Sequence, residues 1–136
     1  MTGSNTATGP DANAPGPVGA RVLVVDDEAD VRALMQTVLE RNGFEVITAD
    51  GGSDALAYLA RDTPSLILLD LEMDDMNGWE VLSMLRGHPR FGTFKVVVVS
   101  GAKGAVPKWA GYLRKPFRLE ALLELLDGGA KPPVKV

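Results

Sequence analysis

The chain of 136 residues has no cysteine. That excludes a disulfide scaffold and a thiolate metal site, and it fits a reducing, cytoplasmic setting. No apolar run approaches the ~20 residues that a membrane helix requires. No basic residue precedes Arg21 and no apolar segment lies before it, so the amino terminus is not expected to act as a signal peptide. Long runs of Lys or Arg are also missing and the net charge is -4, so no nucleic-acid footprint is advertised. No segment repeats. What remains is an ordinary globular composition, 46% hydrophobic and 24% charged, in a length that suits one domain with a good core.

The most informative stretch is Ser65-Leu66-Ile67-Leu68-Leu69-Asp70, four branched aliphatics after Pro64 that stop on an aspartate. Such a run suits a strand buried on both faces. Val22–Val25 runs in the same way into Asp26-Asp27, and Val96–Val99 into Ser100-Gly101. Between the first strand and a short, edge-like one at 44–47, Val31, Leu34, Met35, Val38 and Leu39 recur at helical spacing, and Asn42-Gly43 closes that helix. A second helix carries Ala55, Leu56, Leu59 and Ala60. A third carries Trp79, Val81, Leu82 and Leu85 and stops at Gly87 and Pro89. A closing one carries Leu119, Leu122, Leu123 and Leu126. Tyr112-Leu113-Arg114 supplies a last strand. Strands alternating with helices call for a parallel sheet covered on both faces, joined by right-handed crossovers. Residues 101–111 hold three glycines and Pro107, poor material for the helix of the fourth crossover. The domain is expected over 20–128. Residues 1–19, rich in Gly, Pro, Ala and Thr, are expected to be a disordered tail. Residues 129–136 are expected to be a tail or linker stub.

In such a sheet the carboxyl ends of the strands share one edge, where ligands bind. Asp26, Asp27 and Asp70 should converge there, and like charges that close raise one another's pKa unless a cation compensates. Ligands made only of oxygen point to a hard ion, of which Mg²⁺ is typical at carboxylates. Asp70 would then be placed to attack a phosphoryl group, with Lys115 as a second cation and the Ser100 hydroxyl as a donor to a phosphoryl oxygen. Singly, each residue has an ordinary reading: Asp26-Asp27 as helix caps, Asp70 as a loop carboxylate, Ser100 as a turn residue, Lys115 as a solvated charge. Their joint placement at the ends of the first, third, fourth and fifth strands reverses that balance. His88, between Gly87 and Pro89, reads as an exposed loop residue, and Trp79 and Trp109 read as packing residues.

Asp-Asp, Asp, Ser-Gly and Lys-Pro at these strand ends resemble the receiver domain of bacterial two-component response regulators, the CheY-like family, over about residues 20–128. The resemblance implies an α/β fold, a doubly wound, five-stranded parallel sheet of flavodoxin-like order 2-1-3-4-5 with helices on both faces. It implies that Asp70 is the phosphoacceptor for a sensor histidine kinase or phosphotransfer protein. It also implies that Asp27, Asp70 and the backbone carbonyl of Glu72 ligate Mg²⁺, while Asp26 holds a metal-bound water. Ser100 matches the switch hydroxyl and Lys115 the lysine that bridges to the phosphoryl group. Tyr112 matches the aromatic whose turn inward reports activation, and the Lys115–Pro116 bond is expected to be cis. The phosphorylated domain would switch a surface that docks a downstream protein, with no direct nucleic-acid or membrane contact and no catalysis beyond its own phosphorylation and dephosphorylation.

The chain departs from the family pattern in three places. Asp74 stands where a proline is usual and, with Glu72 and Asp75, adds negative charge near the site. Ala102 is small where many relatives are polar. From Ser100 to Lys115 the chain is about seven residues shorter than the family norm, roughly two helical turns, so the fourth helix is expected to be short or missing. Two other readings stand beside this one. A pseudo-receiver would bind proteins without phosphorylation. A Mg²⁺-dependent phosphatase would use Asp70 as nucleophile and Glu72 as general acid/base.

Overall fold

The computed structural model describes residues 20–73, 77–101 and 106–127. The expectations for residues 1–19, Asp74, Asp75, Ala102 and residues 128–136 lie outside the described residues. Five strands, β1 (Arg21–Val25), β2 (Glu45–Ala49), β3 (Leu66–Asp70), β4 (Lys95–Ser100) and β5 (Gly111–Arg114), form one sheet in the order β2-β1-β3-β4-β5, with every neighbouring pair parallel. The described helices are α1 (Ala29–Arg41), α2 (Gly52–Leu59), α3 (Gly78–Arg86) and α4 (Leu119–Asp127). This is the doubly wound architecture expected from the alternating pattern.

The strand sequences explain why both faces are covered. Successive side chains point to opposite faces, so a continuous aliphatic run feeds two cores at once. Leu23, Val25, Ile67, Leu69, Val96 and Val98 pack with Ala55 and Leu59 of α2 and Val81, Leu82 and Leu85 of α3. Val22, Val24, Leu68, Val97 and Val99 pack on the other face with Met35 and Leu39 of α1 and Leu122 of α4. β2 lies at the edge, where Glu45 and Thr48 are exposed and Ala49 is buried.

Loop chemistry sets the helices against this sheet. Asn42 caps α1 through its side-chain amide, which donates to the Val38 carbonyl at 2.8 Å. Gly43 then takes a φ of 92°, a left-handed conformation that side chains disfavour. At α3, Asn77 and Glu80 form a reciprocal capping box, each side chain accepting from the other's backbone N–H. Gly78 approaches the end of β3 so closely that a Cβ there would lie 2.4 Å from the Leu71 Cα.

Three expectations for individual residues are corrected. Leu34, placed on the buried face of α1, is 55% exposed, and Trp79 is 45% exposed. Both lie on helix sides that no described element covers. His88 is half-buried rather than an exposed loop residue. Its Nδ1 accepts from the Arg90 N–H at 3.0 Å, which leaves Nε2 to donate to the Leu59 carbonyl at 3.2 Å. The side chain thus ties the α3–β4 loop to the end of α2.

The fourth crossover differs from the others. Among the described residues between β4 and β5 there is no helix; residues 107–110 form a turn closed by the Ala110 N–H on the Pro107 carbonyl at 3.0 Å. Trp109 packs edge-on against Phe91, with centroids 5.1 Å apart, and Phe91 meets Phe94 in the same way at 6.2 Å. The Arg86 guanidinium lies 4.9 Å from the Phe91 ring centre. Phe91 and Trp109 are thus packed, partly buried, against the core cluster that includes α2 and α3.

Candidate functional site

All parallel strands end at one edge, so the polar residues that terminate β1, β3, β4 and β5 meet there. Carboxylate oxygens of Asp26, Asp27 and Asp70 lie within 4.8 Å of one another. Asp26 and Asp70 are each 2% exposed and Ser100 is fully buried. Burying carboxylates side by side is costly unless each is compensated. The Lys115 ammonium stands between the two buried ones, 3.4 Å from Asp26 Oδ2 and 3.6 Å from Asp70 Oδ2. Backbone N–H groups provide the rest. Glu28 donates to Asp26 Oδ1 at 2.9 Å, and Glu72 donates to Asp70 Oδ1 at 3.0 Å.

Neither Asp26 nor Asp27 is the cap residue of α1; that place is taken by Glu28, which makes no side-chain capping hydrogen bond. Arg32 of α1 reaches back to the Asp26 carbonyl at 2.7 Å and holds the strand end in place. Lys115 is fixed from the other side by its backbone N–H, which donates to the Ser100 carbonyl at 3.0 Å; the Lys115–Pro116 peptide is cis, as expected.

Burial pushes the Asp70 carboxyl up to about 6, helped by the neighbouring charges of Asp26 and Glu72. The Glu72 N–H and the Lys115 ammonium pull it the other way. Burial pulls the Lys115 ammonium down, but Asp70 and Asp26 more than offset this, so its pKa is raised. Asp70 is therefore a buried carboxylate that still ionises at neutral pH, beside a lysine that stays charged. The donor set, three carboxylates with no nitrogen or sulfur ligand, fits a hard divalent cation.

Ser100 and Tyr112 add two contacts. The Ser100 hydroxyl donates to Glu72 Oε2 at 3.3 Å, and the Tyr112 hydroxyl donates to the Ser100 backbone carbonyl at 3.1 Å. The Tyr112 ring is half-buried against the sheet, so the aromatic expected to turn inward is already docked on β4. Sequence reasoning missed the Glu72 side chain as a partner of Ser100. The only signal was its place two residues beyond Asp70.

The comparisons agree with this geometry. A family model described as the response regulator receiver domain matches residues 22–127. Among curated proteins, Protein PilG of Pseudomonas aeruginosa is 34% identical over 112 residues, covering 77% of this chain and 83% of PilG. Response regulator MprA of Mycobacterium tuberculosis is 35% identical over 113 residues, covering 78% of this chain and 48% of MprA. The chain thus spans most of the first relative and about half the length of the second. Among solved structures, chemotaxis response regulator CheY4 of Vibrio cholerae superposes with a TM-score of 0.74 at 30% identity, over 81% of this chain and 98% of CheY4. Response regulator protein TrrA of Thermotoga maritima, solved in complex with Mg(2+)-BeF, superposes with a TM-score of 0.71 at 30% identity, over 80% of this chain and 97% of TrrA. With the strand order 2-1-3-4-5 and the acidic strand-end cluster beside a lysine, these matches place the chain in the response regulator receiver domain family of two-component systems.

Proposed function

We propose that the chain is a phosphoacceptor receiver, taking a phosphoryl group onto Asp70 from the phosphohistidine of a sensor histidine kinase or phosphotransfer protein. The observation that carries this reading is the pairing of Asp70 and Asp26 with one lysine at the mouth of a three-carboxylate cluster. An ionised Asp70 oxygen attacks phosphorus; the new O–P bond forms as the P–N bond breaks, and that electron pair returns to the imidazole nitrogen. Transfer of this kind depends on position and positive charge more than on covalent help from the protein. The Glu72 N–H holds one Asp70 oxygen and Lys115 faces the other, so the nucleophile is aimed before the donor arrives.

Mg²⁺ is the expected cofactor; Asp27, Asp70 and the Glu72 carbonyl would hold it with Asp26 in support, and it would supply positive charge against the phosphoryl oxygens. Lys115 adds a second cation, and Ser100 a hydroxyl donor once the phosphoryl group is in place. The added charge, about -1.5 to -2, then biases an existing equilibrium of the surface around Ser100, Tyr112 and the fourth crossover. Its readout is a docked protein, without direct contact to nucleic acid or membrane, and the expected setting is cytoplasmic. Among the described residues no helix is long and apolar enough to cross a membrane.

The second reading, a pseudo-receiver that binds proteins without phosphorylation, draws on the Ser100 hydroxyl being engaged by Glu72 and the Ser100 carbonyl by Tyr112. Intact mass after incubation with acetyl phosphate and Mg²⁺ separates the two. One added phosphoryl group in the wild type and none in Asp70→Asn supports the acceptor reading. No gain in a folded, Mg²⁺-saturated wild type supports the pseudo-receiver and refutes the first.

A further inference from the structure

Glu72 makes two contacts that point in different functional directions. Its backbone N–H holds Asp70 Oδ1 at 3.0 Å, while its carboxylate accepts from the Ser100 hydroxyl at 3.3 Å. Ser100 is fully buried at the end of β4, whereas Glu72 is exposed on the rim. A serine hydroxyl has one proton to donate. It can serve the Glu72 carboxylate or a phosphoryl oxygen on Asp70, but not both at once.

We propose that Glu72 is a positioning residue whose carboxylate holds the Ser100 hydroxyl in the unphosphorylated protein and must be displaced before Ser100 can bind a phosphoryl group. This rests on the acceptor reading of Asp70. The carboxylate is a chemical stand-in for a phosphoryl oxygen, being an anionic acceptor on the same donor. Its charge also adds to that of the site, so an incoming phosphoryl group meets both a competitor and a like charge. Displacement is feasible because Glu72 is exposed and its freed carboxylate can be hydrated. Glu72 thus slows acceptance and opposes the phosphorylated state, acting through Ser100 in one part and through its charge in the other.

The two parts are separable by a double-mutant cycle between Glu72→Gln and Ser100→Ala. Gln keeps the length and an acceptor oxygen but removes the charge, and so weakens a charge-assisted bond to a neutral one. The readout is the initial rate of phosphorylation by acetyl phosphate at Mg²⁺ concentrations shown to saturate each variant, followed by intact mass. Glu72→Gln is expected to speed acceptance roughly tenfold, the scale of a hydrogen bond to a charged group. In the Ser100→Ala background the same change should lose at least half of its logarithmic effect. The same cycle run on unphosphorylated protein by urea unfolding should show coupling between the two positions. Additive effects in both experiments would overturn the proposal. A wild type that gains no phosphoryl group would overturn the acceptor reading and the proposal with it. Coupling in unfolding with additive phosphorylation rates would leave the acceptor reading standing and refute the proposal alone, since the bond would then exist without governing transfer.

Discussion

Asp70→Asn should stabilise the metal-free protein at neutral pH, although it removes the nucleophile. Burial, with the charges of Asp26 and Glu72, holds the Asp70 carboxyl at about 6 against an ordinary 3.8. The folded protein therefore binds a proton at Asp70 more tightly than the unfolded chain does. Stability must then fall as pH rises from about 4 to about 6, and the cost is fully present above that window. A difference of a little over two in pKa is worth about 3 kcal/mol at 1.36 kcal/mol each. Asparagine escapes this cost while keeping an oxygen for the Glu72 N–H. In urea, where small domains lose roughly 1–3 kcal/mol per molar, the unfolding midpoint of the variant at pH 7.5 with a chelator should exceed that of the wild type by about 1–3 M. The gap should close toward pH 4, and saturating Mg²⁺ should narrow it at pH 7.5, since a cation among the three carboxylates compensates the buried charge. Equal midpoints at pH 7.5, or a gap that stays constant down to pH 4, would refute the reasoning.

Lys115→Met should push the Asp70 carboxyl further above 6, because the ammonium 3.6 Å away is one of the two groups holding it down. The upper end of the pH window over which stability falls should move up with it, while the lower end stays near the ordinary value of 3.8, as urea titrations from acid to mildly alkaline pH would show. Gly78→Ala should destabilise by about 3 kcal/mol or more, because the new Cβ would sit 2.4 Å from the Leu71 Cα; chemical denaturation reads this directly. Trp109→Ala removes the edge-on partner of Phe91 and should cost about 1–3 kcal/mol, part of it the aromatic pair itself. Because Trp109 leads into β5, hydrogen exchange in β5 should accelerate in that variant while β1 and β3 are unaffected.

Much of the site was legible from the chain because its signals are local. An aliphatic run that breaks at Asp26, Asp70 or Ser100 places that residue at a strand's carboxyl end. Parallel topology then forces all such ends to one edge, without any knowledge of distances. The shortage between Ser100 and Lys115 was equally visible, being a matter of counting. The side chains of Leu34, Trp79 and His88 were misread because periodicity marks an apolar stripe but not how wide a neighbour will cover it. On α1 the covering extends to Met35 and Leu39 and stops before Leu34. His88 looked exposed from its Gly and Pro neighbours, yet its ring finds the end of α2, 29 residues earlier in the chain.

By itself the sequence determined the order of strands and helices, the two-faced core and the identity of the acids, hydroxyl and lysine at the strand ends, since each depends on spacing within a few residues. Tertiary structure alone decided that one ammonium spans Asp26 and Asp70, that Tyr112 is docked on Ser100, and that Glu72 holds the Ser100 hydroxyl. These contacts join residues up to 89 positions apart. They depend on distances of a few ångströms that only the packed sheet sets, because a hydrogen bond fades over less than the width of one side chain and a charge pair weakens as its separation grows.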